Sequence, residues 1–181
     1  PIPVAYSDKD FGNYWTAGRL VLSDNSADLF GPQENYFRHM TEAFGMNYPW
    51  HNWSYPPHYL LFVWWTGYFS YGVALWLFMI LTFVPGAYAT KAFIGRTDLY
   101  VVAMMAPFVA HNFWATQNGF LTTALGLGAL AFRSNRPVIA GFLLGMLTIK
   151  PQLGLLFPLL LLAERRWTVI ASASITTLAL F

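Results

Sequence analysis

Carboxylates are the reactive groups this sequence concentrates. Asp8, Asp10, Asp24, Asp28, Glu34 and Glu42 all precede Pro57, and only Asp98 and Glu164 follow it. Asp8-Lys9-Asp10 is the cluster that invites chemistry. A carboxylate beside an apolar interface can have a raised pKa, which suits a general base that takes a proton from a hydroxyl. The plainer readings are that both are solvated loop acids, or that Asp10 caps a helix starting at Phe11. Lys150 is the second candidate. It stands between two apolar runs, where an ionisable side chain is expensive to bury. A phosphate carried on a lipid would be a natural partner, whereas a lysine that snorkels from a helix end would need none. His51, His58 and His111 could bind phosphate, donate a proton or ligate metal. None has the H-x-x-x-H spacing of a metal pair, so no metal site is expected, and hydrogen-bonded interfacial rings are the plainer reading. Gln117-Asn118-Gly119 offers amides for sugar hydroxyls or for helix caps. Tyr55, in Tyr55-Pro56-Pro57, could stack on a sugar ring or anchor the chain at an interface. Arg19 and Arg38 could meet phosphate, loop acids or lipid headgroups.

The elements that must position these groups are apolar. Of the 181 residues, 56% are hydrophobic, 19% aromatic and only 10% charged, against about 25% charged in a soluble domain. No charge occurs from Tyr59 to Thr90, Leu99 to Phe132, Pro137 to Ile149 or Pro151 to Ala163. These runs place the chain in the membrane class. The expected fold is all-α: a polytopic transmembrane helix bundle carrying an external loop with an amphipathic helix. Residues 1–57 form the expected extracytoplasmic catalytic loop and residues 58–181 the bundle. The net charge of +2 is spread over separate helix ends, so it makes no basic face for nucleic acid. Cysteine is absent, which excludes disulfides and thiolate metal sites. The chain opens on Pro1 and stops at Phe181 inside an apolar run, so a longer parent with a span before residue 1 is expected.

Within the loop, Phe11, Tyr14, Trp15, Ala17, Gly18, Val21 and Leu22 recur at helical spacing, which predicts an amphipathic helix on the bilayer surface from Asp10 to Leu22. Ser23 to Gln33 reads as turns, Glu34 to Phe44 as a second short helix, and Gly45 to Pro57 as a loop rich in Trp, Tyr and Pro. His58 to Phe69 is too short to cross ~30 Å of hydrocarbon, whereas Val73 to Thr90 is long enough. Leu99 to Phe132 reads as a hairpin interrupted by His111-Asn112 and by Gln117-Asn118-Gly119. Pro137 to Ala163 reads as a hairpin broken at Lys150-Pro151-Gln152, with a single kinked helix as its rival. Trp167 begins a last helix. With both blocks as hairpins, Lys91, Arg96, Arg133, Arg136, Arg165 and Arg166 fall on one side, cytoplasmic by the positive-inside rule. Asp8, Asp10, His51, His58, His111, Gln117, Lys150 and Gln152 then share the other face. The hairpin arms are only ~20 Å long, so their polar tips would lie below that surface, roofed by the loop.

No G-x-x-x-x-G-K-[ST], G-x-G-x-x-G or G-x-S-x-G is present, so ATP, NAD and serine-hydrolase chemistry have no support. Asp10-Phe11-x-x-Tyr14-Trp15-x-Ala17-Gly18 resembles the opening of the polytopic GT-C glycosyltransferases. Together with Tyr55-Pro56-Pro57, Gln117-Asn118-Gly119, the run from Gly141 to Gln152, and Glu164-Arg165-Arg166-Trp167, the ordered set most resembles glycosyltransferase family 87. That family, also known as DUF2029, includes polyprenol-phosphate-mannose-dependent mannosyltransferases. The set covers most of the chain, although the usual member is longer and has more spans.

The resemblance implies an inverting transferase with a polyprenyl-phosphate-linked sugar as donor and a lipid or glycan hydroxyl as acceptor, working outside the cytoplasm. Asp10 matches the family's catalytic aspartate and would deprotonate the acceptor, with Asp8 the second choice. Lys150, with His58 and Gln117, would hold the donor phosphate, and Tyr55 and Asn118 belong to the same expected substrate site. Lipid phosphate is already a leaving group, so no cofactor is expected. The expected location is an integral, multi-pass position in a bacterial plasma membrane, in contact with membrane lipids. Two rivals remain. A non-enzymatic transporter or lipid-binding subunit would depend on Lys150 and Gln117 but not on Asp10. A glycan polymerase or ligase would share the clamp but accept a long glycan.

Overall fold

The computed structural model describes residues 10–181, so Asp8 lies outside the described residues. Every regular element among the described residues is helical. The chain divides into two compact units. One holds the described residues up to Ile80 together with Phe113–Gln117, and the other holds Leu81–Asn112 and Asn118–Phe181.

The first unit opens with α1, Phe11–Leu22. It stops where the Ser23 N–H bonds back to the Arg19 carbonyl at 3.0 Å and Asp24 turns left-handed at φ 57°, a conformation Asp tolerates better than most residues. A 3₁₀ turn, Ser26–Leu29, leads to α2, Gln33–Phe44. This helix ends at Gly45, whose φ of 106° suits a residue without Cβ. An aromatic loop and three short helical turns, Pro57–Tyr59, Leu60–Val63 and Trp64–Tyr68, complete the unit up to α3.

The amphipathic surface helix expected at α1 is not what forms. Nine of its twelve residues are buried, among them Gly12, Asn13 and Thr16 on the supposedly polar side. The cause is a partner more than forty residues away. Gly18 lies back to back with Gly67, so that a Cβ on Gly67 would sit 2.6 Å from the Gly18 carbonyl carbon. The 3₁₀ turn at Trp64–Tyr68 therefore packs along the Gly18 side of the helix, and Tyr36 of the following helix bonds Asn13. The amphipathic helix is instead α2, which buries Tyr36, Met40 and Phe44 at a spacing of four and turns Glu34, Arg38 and Glu42 outward.

α3, Tyr71–Ile94, is the element that matches its expectation most closely. Among the described residues it is the one helix long and apolar enough to cross a membrane. Its 24 residues rise ~36 Å, more than the ~30 Å of a hydrocarbon core. Its outer residues include Val73, Trp76, Ile80, Val84 and Tyr88, all exposed.

After α3, α4 is Thr97–Met104, α5 is Pro107–Ala115, whose residues from Phe113 on are counted with the first unit, and α6 is Gly119–Phe132. The expected break at His111-Asn112 is absent, because both residues lie inside α5. The chain breaks earlier, at Met105-Ala106, where Pro107 starts a new helix from a position at which its missing N–H is no loss. It breaks again at Thr116–Asn118, as expected. Gly86 of α3 meets the start of α6, where an added Cβ would lie 2.8 Å from the Phe120 carbonyl oxygen.

Next come α7, Pro137–Met146, a helical turn at Pro151–Gly154, then α8, Phe157–Ala163, and α9, Trp167–Leu180. The block from Pro137 to Ala163 doubles back. The Arg133 guanidinium before α7 donates to the Glu164 carboxylate after α8, Nε to Oε2 at 3.0 Å. Arg166 joins the same carboxylate at 3.1 Å and Ser134 Oγ at 3.0 Å. A single kinked helix would hold these two turns far apart, so the hairpin is the correct alternative. Across the seam between α7 and α9, Gly141 and Gly145 admit Ser172 and Thr176, and Ser172 Oγ donates to the Val138 carbonyl at 2.8 Å.

Candidate functional site

Asp10 occupies the position just before α1 with helical backbone angles, and its carbonyl accepts the Asn13 N–H at 3.1 Å. Its side chain makes no capping hydrogen bond. The helix therefore starts on Asp10's backbone and leaves the half-buried carboxylate for other work. Tyr14 lies one turn further along the same face. A helical side chain leans toward the N-terminus of its helix, which carries the Tyr14 ring back over the turn that begins at Asp10.

Tyr14 is fully buried, and its hydroxyl lies 3.0 Å from that of Tyr55. Burial pushes its phenol well above the usual range, with Tyr59, Tyr55 and Asp10 adding to the effect. It is therefore a neutral hydroxyl, able to donate or accept. Tyr55 stacks on Tyr59 with centroids 4.3 Å apart and meets Trp53 at 5.3 Å. One face of Tyr55 is thus committed to protein. Tyr59 in turn packs edge-on to Tyr14 at 5.3 Å. His58 is buried on the same 3₁₀ turn, which Pro57 initiates.

The other side of α1 is held by hydrogen bonds that do not depend on these rings. Tyr36 of α2 donates to Asn13 Oδ1 at 2.6 Å, and α2 is itself tied to the aromatic loop, where the Trp53 backbone N–H donates to Gln33 Oε1 at 2.9 Å. Trp15 Nε1 donates to the Phe69 carbonyl at 3.0 Å. Thr66 Oγ1 is within bonding reach of both the Val63 and Tyr14 carbonyls, at 2.7 and 3.2 Å. Asn13, Tyr36 and Tyr59 are not singled out by the sequence, and Tyr14 enters there only through the helical pattern and the family motif. The available signal was the dense aromatic spacing, which reads equally as interface anchoring.

The remaining candidates divide between the units. Gln117 belongs to the first and Asn118 to the second. They form the break between α5 and α6, next to Thr116 at φ 51°, an uncommon conformation for a β-branched residue. Asn118 is fully buried at the N-cap position of α6, and its side chain makes no cap bond there. Lys150 stands at the hairpin tip in the second unit, half-buried, at the start of the Pro151–Gly154 turn. Its neighbours Thr148 and Pro151 line an apolar cleft of about 710 Å³, walled by Leu144, Leu161, Ile170 and Thr177.

The basic and histidine side chains of the loop have local partners. Arg19 lies over the Trp15 ring at 4.9 Å, and Arg38 pairs with Glu42 at 3.9 Å. His39 contacts Asp28 at 2.8 Å, and His51 Nδ1 lies 2.8 Å from the Pro49 carbonyl oxygen. His111 is exposed on α5. Among the described residues no three His, Asp or Glu side chains converge as a metal site requires.

Described residues whose regular elements are all helical, with one full-length apolar span among them and a carboxylate that makes no helix-cap bond, fit a helical membrane enzyme. The family model for glycosyltransferase family 87 matches residues 53–181. The chain belongs to that family, whose members are membrane enzymes that transfer sugars. No curated protein and no solved structure matches it. The match takes in Tyr55, His58, Gln117, Asn118 and Lys150, and it begins after α1, so Asp10 lies outside it.

Proposed function

We propose that this protein moves a sugar, mannose or another hexose or pentose, from a polyprenyl-phosphate donor to a hydroxyl of a lipid or glycan on the extracytoplasmic side. Asp10 accepts the proton of the acceptor hydroxyl. The freed oxygen attacks the anomeric carbon, the bond from that carbon to the donor phosphate oxygen breaks, and polyprenyl phosphate leaves with inversion of configuration. Asp8 is the second choice for the base. Lys150 neutralises the donor phosphate with help from His58 and Gln117, while Tyr55 and Asn118 contribute to substrate binding. No metal or cofactor is assigned a role.

The observation that carries this reading is the family match, joined to a carboxylate that begins a rigid buried helix without capping it. A lipid-phosphate donor is supported by an ammonium whose sequence neighbours line an apolar cleft. The proposed sidedness is supported by the gathering of Arg133, Arg136, Arg165 and Arg166 at the two ends of the hairpin, as the positive-inside rule expects of a cytoplasmic base. We take the chain as a multi-pass protein of a bacterial plasma membrane, with the arms around Lys150 entering the bilayer as a hairpin.

The test is transfer of label from a polyprenyl-phosphate-linked radioactive sugar to membrane acceptors, comparing wild type with Asp10→Asn at matched expression. General-base catalysis is worth about 10²–10⁴-fold, so Asp10→Asn should lose at least about a hundredfold while donor binding persists. Full activity in Asp10→Asn would remove Asp10 and move the role to Asp8. Dependence on Lys150 with no dependence on either aspartate would favour a transport or lipid-binding role.

A further inference from the structure

We propose that Tyr14 and Tyr55 form a positioning pair for Asp10, fixing the N-terminal end of α1 to the turn at Tyr55-Pro56-Pro57. This inference rests on Asp10 acting as the base. The pair joins residues 41 apart in sequence through hydroxyls 3.0 Å apart. Neither partner is free to move away. Tyr14 is fully buried, with its ring packed on Phe11, Tyr59 and Phe78. Tyr55 stacks on Tyr59 at 4.3 Å and meets the tilted ring of Trp53 at 5.3 Å.

The prolines matter to this geometry. Pro56 and Pro57 each fix one backbone angle, so the chain after Tyr55 has few alternatives. The residue before a proline favours an extended conformation, and Pro56, which precedes Pro57, has it at ψ 159°. The hydroxyl bond transmits that rigidity to the face of α1 that carries Asp10 and Tyr14.

The pair is distinct from the remaining supports of α1. The Gly18–Gly67 contact and the Trp15–Phe69 bond hold the middle of the helix, and the Tyr36–Asn13 bond holds its first turn at a different residue. Loss of the Tyr14–Tyr55 bond would therefore leave α1 folded while loosening the Tyr14 side of its first turn. A base must sit within about 0.5 Å of its working position, and displacement by 1 Å can cost about a hundredfold in rate.

The experiment uses Tyr14→Phe, Tyr55→Phe and the double variant, each with and without Asp10→Asn, in the full chain in its native membrane. Phenylalanine keeps the ring contacts and removes only the hydroxyl. The readout is kcat and donor KM for transfer from a polyprenyl-phosphate-linked radioactive sugar, with protein amount and thermal stability measured in parallel. Each single variant should lower kcat about ten- to a hundredfold with donor KM within about twofold of wild type. The double variant should be no worse than the poorer single one, because both lose the same bond. In Asp10→Asn, whose residual rate does not use the base, adding Tyr14→Phe should change nothing further.

Kcat within about twofold of wild type for Tyr55→Phe, beside a lost activity in Asp10→Asn, would overturn the pairing and leave the base intact. So would a change confined to KM, or additive losses in the double variant. Retained activity in Asp10→Asn would overturn the base itself, and the positioning role with it. A loss of protein in the Tyr55→Phe membranes matching the loss of rate would also overturn the proposal, because it would show a role in folding alone.

Discussion

Both units press glycines against a neighbouring backbone, and they use the closeness differently. In the first, Gly18 and Gly67 let the Trp64–Tyr68 turn settle on α1, and the helix is then enclosed by Tyr, Trp and Phe rings and by named hydrogen bonds. In the second, Gly141 and Gly145 let α7 and α9 approach each other, while large apolar side chains such as Val138, Phe142, Ile175 and Leu178 stay exposed. Several interior polar groups of the first unit, Asn13, Tyr36 and Thr66 among them, are satisfied by protein, whereas the buried Thr16 hydroxyl and Trp53 indole N–H have no hydrogen-bond partner among the described residues. The second packs as helices do in lipid, where small residues bring backbones together and the outer surface is as apolar as the solvent around it. One unit is organised to hold a helix end in place, the other to hold helices side by side.

The sharpest way to break this contrast is to add one methyl group to each seam. In Gly67→Ala the new Cβ meets the Gly18 carbonyl group and the Arg19 N–H at 2.6–2.7 Å, atoms that cannot swing aside. Overpacking of this kind costs about 1–3 kcal/mol, and here it displaces the helix that follows Asp10. Sugar transfer should fall at least about tenfold and thermal stability should drop. Gly141→Ala, which meets Ser172 Cβ and the Val169 carbonyl at 2.5 Å, should cost stability of the same order, about 1–3 kcal/mol, with a smaller loss of transfer per folded molecule. Equal losses in both, assayed at matched protein amounts, would mean that the first unit has no special hold on the chemistry.

The smallest effect expected lies at the second unit's ion cluster. Hydrogen bonds from Arg133 and then Arg166 hold the Glu164 carboxyl below its ordinary value of 4.5. A carboxyl whose pKa is lowered by folding adds stability that is complete above its unfolded pKa and is lost as pH falls through the folded one. The arginines stay charged throughout. Wild type should therefore be more stable than Glu164→Gln above about pH 4.5, and the two thermal melting curves should converge as the medium becomes more acidic. No such convergence is expected in a variant of Tyr36, whose tie to Asn13 in the first unit involves no charge change in that range.

Legibility in the sequence followed the range of the forces involved. The bounds of α1 and α2 and the length of α3 came through because helical spacing and Gly or Pro punctuation act within a few residues. The hairpin at Lys150 came through because charges collect at both of its ends. The burial of α1 did not, since the turn that covers it is supplied by Thr66 and Gly67, far along the chain. His111-Asn112 misled as a break because a polar pair can ride inside a helix when one member is exposed and the other buried. Pro107 was the better signal. For the site, Asp10 at a helix start was readable, but its release from capping was not, because that depends on backbone angles. Tyr14 and Tyr55 stand 41 residues apart, and nothing local announces their bond.

The hairpin tip at Lys150 has a consequence for how this protein is made. Each arm is a run of 13 residues, Pro137–Ile149 and Pro151–Ala163, well short of the ~20 needed to cross alone. Neither arm would be held by a membrane-insertion channel as a stable intermediate while the other was still being synthesised. On the multi-pass reading the two must enter together, after Glu164 has emerged to meet Arg133. The cluster of arginines at the base would then act as a latch on the order of biogenesis, delaying commitment to the bilayer until both arms are present.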